Sequence, residues 1–226
     1  MGTIVIGVEC RAAGAAKCYA RELVQIAEDA CVPFTWLITV SARDPMSNVR
    51  LYHEEYLHRI PAWHEVGVWL DVTDEGASED SRSRSHLPRL GKEMLKQCHV
   101  KPVCCVWSGS PVSGNDVRGL VDAGILAVAA EVTGRAAPPI GPYHPAFDDP
   151  STEGGAPLWL LPLKGISVGD VSEVRLEGLE YGAGAGATLL VTVRDDRDDT
   201  VSLAHMLKLA ARSGVRTRTL TPALVG

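Results

Sequence analysis

Short apolar runs alternate with amphipathic stretches along most of the chain. The runs at 3–9, 34–40, 66–70, 101–107, 125–130, 158–163, 188–193 and 215–220 are apolar with few interruptions, a pattern of parallel strands covered on both faces. Between them apolar residues fall at helical spacing. Over 15–30 the stripe is Tyr19, Leu23, Ile26, Ala27 and Ala30; over 47–59 it is Val49, Tyr52, Tyr56 and Leu57. Further helices are predicted over 87–98, over 115–123 with Asn115 as N-cap and Gly124 past the end, and over 201–213, stopped by Gly214. Eight strands alternating with helices predict the α/β class and a (β/α) barrel, complete or incomplete, in one domain over 1–226.

Three segments interrupt the rhythm. Residues 133–157 form a long Pro- and Gly-rich connection that includes Tyr143, His144, Asp148 and Asp149. Residues 182–187 alternate Gly and Ala and read as a turn, because the G-x-G-x-x-G register and a following helix are both missing. The basic run 82–89 follows an acidic stretch and reads as a solvated loop.

Composition narrows the field without choosing a function. With 46 % hydrophobic and 22 % charged residues the chain is of ordinary globular type, and a net charge of -6 argues against a nucleic-acid partner. No run approaches the ~20 apolar residues of a membrane span, and the start at Thr3 lacks signal-peptide character, so a soluble, cytoplasmic protein is expected. The six cysteines contain no C-x-x-C pair, so most of them read as small buried hydrophobes rather than a structural zinc site, with Cys10 set apart by its place at a strand end. A homo-oligomer is compatible with a barrel of this size, though no surface marks an interface.

In barrels of this class chemistry gathers at the C-terminal ends of the strands. Those ends here carry Glu9, Cys10 and Arg11, then Trp69 and Asp71, then Trp107 and Ser108, then Arg194 and Asp195. Glu9 reads either as a general base in an apolar pocket or as the ion-pair partner of Arg11 or Arg194. Cys10 is either an activated thiol or a buried strand residue. His144, in the long connection, is the acid/base candidate among the seven histidines. The carboxylates Asp71, Asp74, Asp148, Asp149, Asp195 and Asp196 suit a hard cation or, more simply, helix caps and solvated loops.

One stretch is more specific. His64-Glu65-Val66-Gly67 leading into Val68-Trp69-Leu70-Asp71-Val72-Thr73 resembles the H-E-I-G turn and H-x-x-x-H motif of the polysaccharide deacetylase (NodB homology) family. Other stretches are similar to the family's motifs in the same order. Val8-Glu9-Cys10-Arg11 stands where the family has T-F-D-D, and Val32-Pro33-Phe34-Thr35-Trp36-Leu37 resembles its I-P-A-T-F-F strand. Trp107-Ser108-Gly109 resembles its R-x-G turn, the helix from Asn115 its N-x-x-x-L-x-x-x-G, and residues 142–162 a later loop and strand.

The resemblance implies a distorted or incomplete barrel and, for the family, metal-dependent amide hydrolysis. It also implies where this chain departs. Trp69 and Thr73 stand at the two histidine ligand positions, Glu9 and Cys10 at the paired aspartates, and Trp107 at the arginine that orients the base. Arg194 and Asp195 stand where the family has its late acid histidine. Indole and hydroxyl cannot replace two imidazoles on a Lewis-acidic metal, so neither a metal nor another cofactor is expected.

Three readings follow. The first is a divergent protein that has lost the deacetylase chemistry and binds a small-molecule or carbohydrate ligand in an accessory role. The second is a metal-independent enzyme acting on a C–N bond, with Glu9, His144 and Asp195 as catalytic residues. In both, Cys10, Arg11, Trp69, Asp71, Trp107 and Arg194 would contact the ligand, with Trp69 and Trp107 as an aromatic platform. The third is an unusual metal site made of Cys10 and nearby carboxylates.

Overall fold

The computed structural model describes residues 2–13, 15–40, 49–72, 81–162, 165–171 and 187–225. In chain order the strands are β1 (Thr3–Cys10), β2 (Thr35–Val40), β3 (Glu65–Asp71), β4 (Cys104–Val112), β5 (Ala127–Val132), β6 (Trp159–Leu161), β7 (Ile166–Ser167), β8 (Thr188–Arg194) and β9 (Arg216–Arg218). The helices are α1 (Ala20–Ala30), α2 (Val49–Tyr52), α3 (Ser81–Gln97), α4 (Gly114–Asp122), α5 (Thr200–Arg212) and α6 (Leu220–Val225). Every strand pairing is parallel, in the order β6-β5-β4-β3-β2-β1-β8-β7. Among the described residues β6 and β7 do not pair, so the sheet curls into an incomplete (β/α) barrel. The expected architecture stands.

Side-chain alternation along the strands divides the core in two. Ile4, Ile6, Val8 and Cys10 of β1 point to the helix layer, where Trp36, Leu70, Trp107, Leu23, Leu95 and Leu203 join them. Val5, Leu37, Trp69, Cys104, Val106, Ala127, Ala129 and Leu190 fill the barrel interior. Residue parity on a strand therefore decides which core a side chain enters. Glu9, two positions beyond Gly7 and four beyond Val5, takes the interior side.

The intact half of the motif beginning at His64 is structural. His64 lies just before β3; its Nδ1 accepts the Phe34 amide at 2.9 Å, pinning the start of β2 to the start of β3. Trp63 lies against the imidazole with ring centroids 4.0 Å apart. Gly67 has no room for a side chain, since a Cβ there would lie 2.5 Å from Cys104 Sγ and 2.8 Å from its carbonyl oxygen.

Several boundaries differ from expectation, each for a tertiary reason. Run 82–89 is no solvated loop but part of α3, because Arg84 is drawn in: it pairs with buried Asp116 at 2.8 Å and lies 5.3 Å from the Trp107 ring. Helix α4 starts earlier than Asn115 because Ser113 caps it in a reciprocal box with Asp116. The helix expected over 47–59 is α2 followed by a π-helical turn, His53–Leu57. The strand expected over 215–220 stops at Arg218, and α6 begins at Leu220, whose amide donates to Thr35 Oγ1 at 2.9 Å. Leu220 and Leu224 then plug the N-terminal end of the barrel. The Gly-Ala stretch 182–186, Thr73 and Asp74 lie outside the described residues.

Candidate functional site

The C-terminal ends of β1, β3, β4, β5 and β8 enclose a cavity of about 250 Å3. Its polar and aromatic lining includes Glu9, Trp69, Ser108, Ser110, Glu131 and Thr192, with Gly109 and Gly165 presenting backbone. Parity explains the set, because Glu9, Trp69, Glu131 and Thr192 all occupy interior positions at the tops of their strands.

Glu9 is 7 % exposed, and its Oε1 accepts from Arg11 Nη1 at 3.0 Å. Burial pushes its carboxyl above the ordinary value, opposed by Arg11 and Arg194 and reinforced by Asp196 and Asp71. Arg194, on β8 beside Glu9 in register, spends its guanidinium on Asp196, with Nε 2.9 Å from Oδ1. Asp71 ends β3 near Glu9 and is only partly buried. Thus the first-strand carboxylate is both ion-paired and at the cavity wall.

The structure does not bring all the sequence candidates together. Trp69 faces the barrel interior and is 8 % exposed. Trp107 borders the cavity from β4, but its indole belongs to the helix-side core, under Arg84, so the two indoles do not form one platform. Cys10 is fully buried on the helix side, its Sγ 3.5 Å from the Val8 carbonyl oxygen. Burial first, then the charge of Asp195, raises that thiol well above its ordinary value, which leaves it protonated.

Asp195 also turns away from the cavity. Fully buried, it accepts the amides of Arg11 at 3.0 Å and Ala12 at 3.1 Å and the Tyr56 hydroxyl at 2.5 Å, and Cys18 Sγ lies 3.8 Å away. Burial raises its carboxyl and these donors pull it back. It staples the end of β8 to the turn after β1. His144 lies next to the N-terminal start of β6, its Nδ1 2.9 Å from the Leu158 carbonyl oxygen and its ring 4.1 Å from that of Trp159. In a parallel barrel that is the opposite end from Glu9, which ends β1.

The metal implied by the resemblance does not fit these residues. An indole stands inside the barrel at the first histidine position, and the cysteine at the aspartate position faces the helices. Among the described residues no three His, Cys, Asp or Glu side chains converge as a ligand set. Asp149 serves as a loop cap, accepting from Ser151 Oγ at 2.6 Å.

Sequence reasoning missed Glu131, Ser110 and Thr192. Glu131 was findable: it lies one residue past the predicted strand end at 130, on the interior parity. Ser110 lies within the register shift of β4 between Trp107 and Val112, an irregularity no pattern announces.

No family model matches the chain, and no curated protein matches it in sequence. Solved structures do. A putative polysaccharide deacetylase from Mycobacterium smegmatis superposes with TM-score 0.59 at 14 % identity, over 97 % of this chain and 93 % of that one. The family 4 carbohydrate esterase from Streptomyces lividans, in complex with acetate, gives 0.55 at 9 % identity over 98 % and 94 %. BA3943 from Bacillus anthracis, described as a CE4 family pseudoenzyme, gives 0.60 at 10 % identity, over 99 % of this chain and 65 % of that one. The fold is therefore the polysaccharide-deacetylase barrel. Within it this chain is divergent, with tryptophan where the resemblance places the first histidine ligand.

Proposed function

We propose that this protein has lost metal-dependent deacetylation and binds a small-molecule or carbohydrate ligand in the barrel-mouth cavity. Trp69 carries the reading: its indole stands inside the barrel at the ligand position while an open cavity persists beside it. A flat apolar face next to hydroxyls and carboxylates suits a sugar ring. BA3943, with the same fold, is described as a pseudoenzyme, and a mutant of it as having restored enzymatic activity, so the fold occurs without the activity. We place the protein in the cytoplasm; six free thiols suit a reducing compartment, and among the described residues no helix is long and apolar enough to cross a membrane.

The test combines elemental analysis after dialysis against zinc or cobalt, an acetate-release assay on N-acetylated chito-oligosaccharides, and tryptophan fluorescence during titration with partly deacetylated ones. The expected result is substoichiometric metal, no acetate above the blank, and a fluorescence change that Trp69→Ala abolishes. One metal per chain with metal-dependent acetate release would overturn the proposal.

A second reading, a metal-independent C–N hydrolase, is favoured by one observation: Glu9 is more than nine-tenths buried at the cavity wall with its carboxyl raised. Its second titratable group would be Glu131, since His144 and Asp195 do not line the cavity. Acetate release that needs no metal and is lost in Glu9→Gln would favour it.

A further inference from the structure

The outer helices carry a second concave surface, away from the barrel mouth. Between α1 and α5 lies a groove of about 410 Å3, walled by Ile26, Asp29 and Ala30 on one side and by Ala204, Lys208 and Ala211 on the other. Spacing explains the second wall: these three residues lie three or four apart along one row of α5, and Val201 begins that row. Val201 is 80 % exposed, a large apolar side chain left in water at the end of an apolar groove. The alanines on both walls keep them low enough for another helix to come close.

Charge says what fits there. The last turn of α1 holds Glu28 and Asp29, both exposed, and no basic residue. Carboxylates at a helix C-terminus oppose the macrodipole, so a cation brought to that turn is stabilising. Asp29 accepts from Gln25 Nε2 at 2.8 Å, and no described lysine or arginine pairs with it. Lys208 is exposed on the facing wall, and it too forms no ion pair with a described residue. One groove thus presents an acid on one wall and a base on the other, and the two do not meet within the chain.

We infer that the groove between α1 and α5 is the interface of a homodimer, covered by the same groove of a second copy of this chain. In a parallel barrel both helices run against the strands they follow, so α1 and α5 lie side by side in one direction. A two-fold axis through the groove lays α1 of one copy antiparallel on α5 of the other. That rotation exchanges the two walls, so each Asp29 meets the second copy's Lys208 and the pair forms twice, as in any isologous contact. Like charges on both walls would repel a second copy, whereas opposite charges make this surface complementary to itself. Ile26 and the Val201 row supply the apolar part of the seam, and the last turn of α1 gains its cation. The groove is separate from the barrel-mouth residues, so dimer formation stands or falls independently of ligand binding.

Sedimentation equilibrium of the full chain, from about 1 to about 100 μM, reads the association directly. The natural chain is expected to approach twice the mass of one copy within that range, and less completely as salt is added. Lys208→Asp and Asp29→Lys should each weaken the dimer at least about tenfold by setting like charges against each other. The double variant, with the charges exchanged, should recover the natural affinity to within about threefold. All three substitutions are on exposed side chains, and an unchanged melting temperature for the single variants at monomer concentrations confirms that only association was altered. A chain that stays monomeric up to about 100 μM would overturn the inference, whatever other molecule the groove might hold. A dimer indifferent to both single substitutions would place the interface elsewhere and overturn it equally. Weakening in the single variants without recovery in the double one would reject the pairing of Asp29 with Lys208 and, with it, the two-fold arrangement.

Discussion

Asp195 shows how a residue picked for one job can hold another. As a carboxylate at a strand end it looked catalytic, yet the fold surrounds it with donors from the turn after β1 and from the π-helical turn. Removing the acceptor orphans several buried donors at once, each costing on the order of 1–3 kcal/mol. Asp195→Ala should therefore destabilise the fold by about 3 kcal/mol, seen as a melting temperature lower by roughly 10 °C. An unchanged melting temperature would remove the staple role. By contrast, Asp195→Asn keeps one acceptor oxygen and should lose less. Glu9 and Trp69 were legible because strand-end position and interior parity coincide in the sequence. His144 misled because its long connection folds back to the opposite end of the barrel, a route that local pattern does not encode.

At the scale of the element, β3 explains the part of the motif from His64 to Gly67. Gly67 packs against Cys104 with no space for a Cβ, which fixes the approach of β3 to β4. Gly67→Ala should cost about 1–3 kcal/mol through overpacking, read as a lower urea midpoint with unchanged m-value. The strands were placed closely by their apolar runs, whereas helix ends moved wherever a partner intervened: Arg84 drawn onto Trp107 and Asp116, Ser113 capping α4, Thr35 receiving Leu220. The π-helical turn has no sequence signal of its own. Its consequence is clear, since it delivers Tyr56 to Asp195.

For the whole molecule, one buried histidine couples folding to pH. Burial lowers the affinity of His64 for a proton below its ordinary value, and its Nδ1 is occupied as an acceptor for Phe34. The unfolded chain, titrating near ~6.5, binds that proton more readily than the folded one. Stability from His64 is thus fully present above the unfolded value and is lost as pH falls from there through the lower folded value. Denaturant midpoints measured across that window should decline for the natural chain and decline less for His64→Gln, which keeps an acceptor for the Phe34 amide. Identical slopes would show that other groups set the pH response.

Sequence alone determined the alternating parallel architecture, because continuous apolar runs between helical stripes have few other ways to be buried. It also carried the resemblance that sets Trp69 at the first ligand position, where an indole, its nitrogen lone pair held in the aromatic ring, is a poor partner for a metal. Only the tertiary structure decided which strand-end residues share a space. Curling the sheet sends alternate side chains to two separate cores: Cys10, Trp107 and Asp195 go outward to the helices, while Glu9, Trp69 and Glu131 meet around one cavity. That division depends on closure and register among strands far apart in the chain, which no local pattern contains.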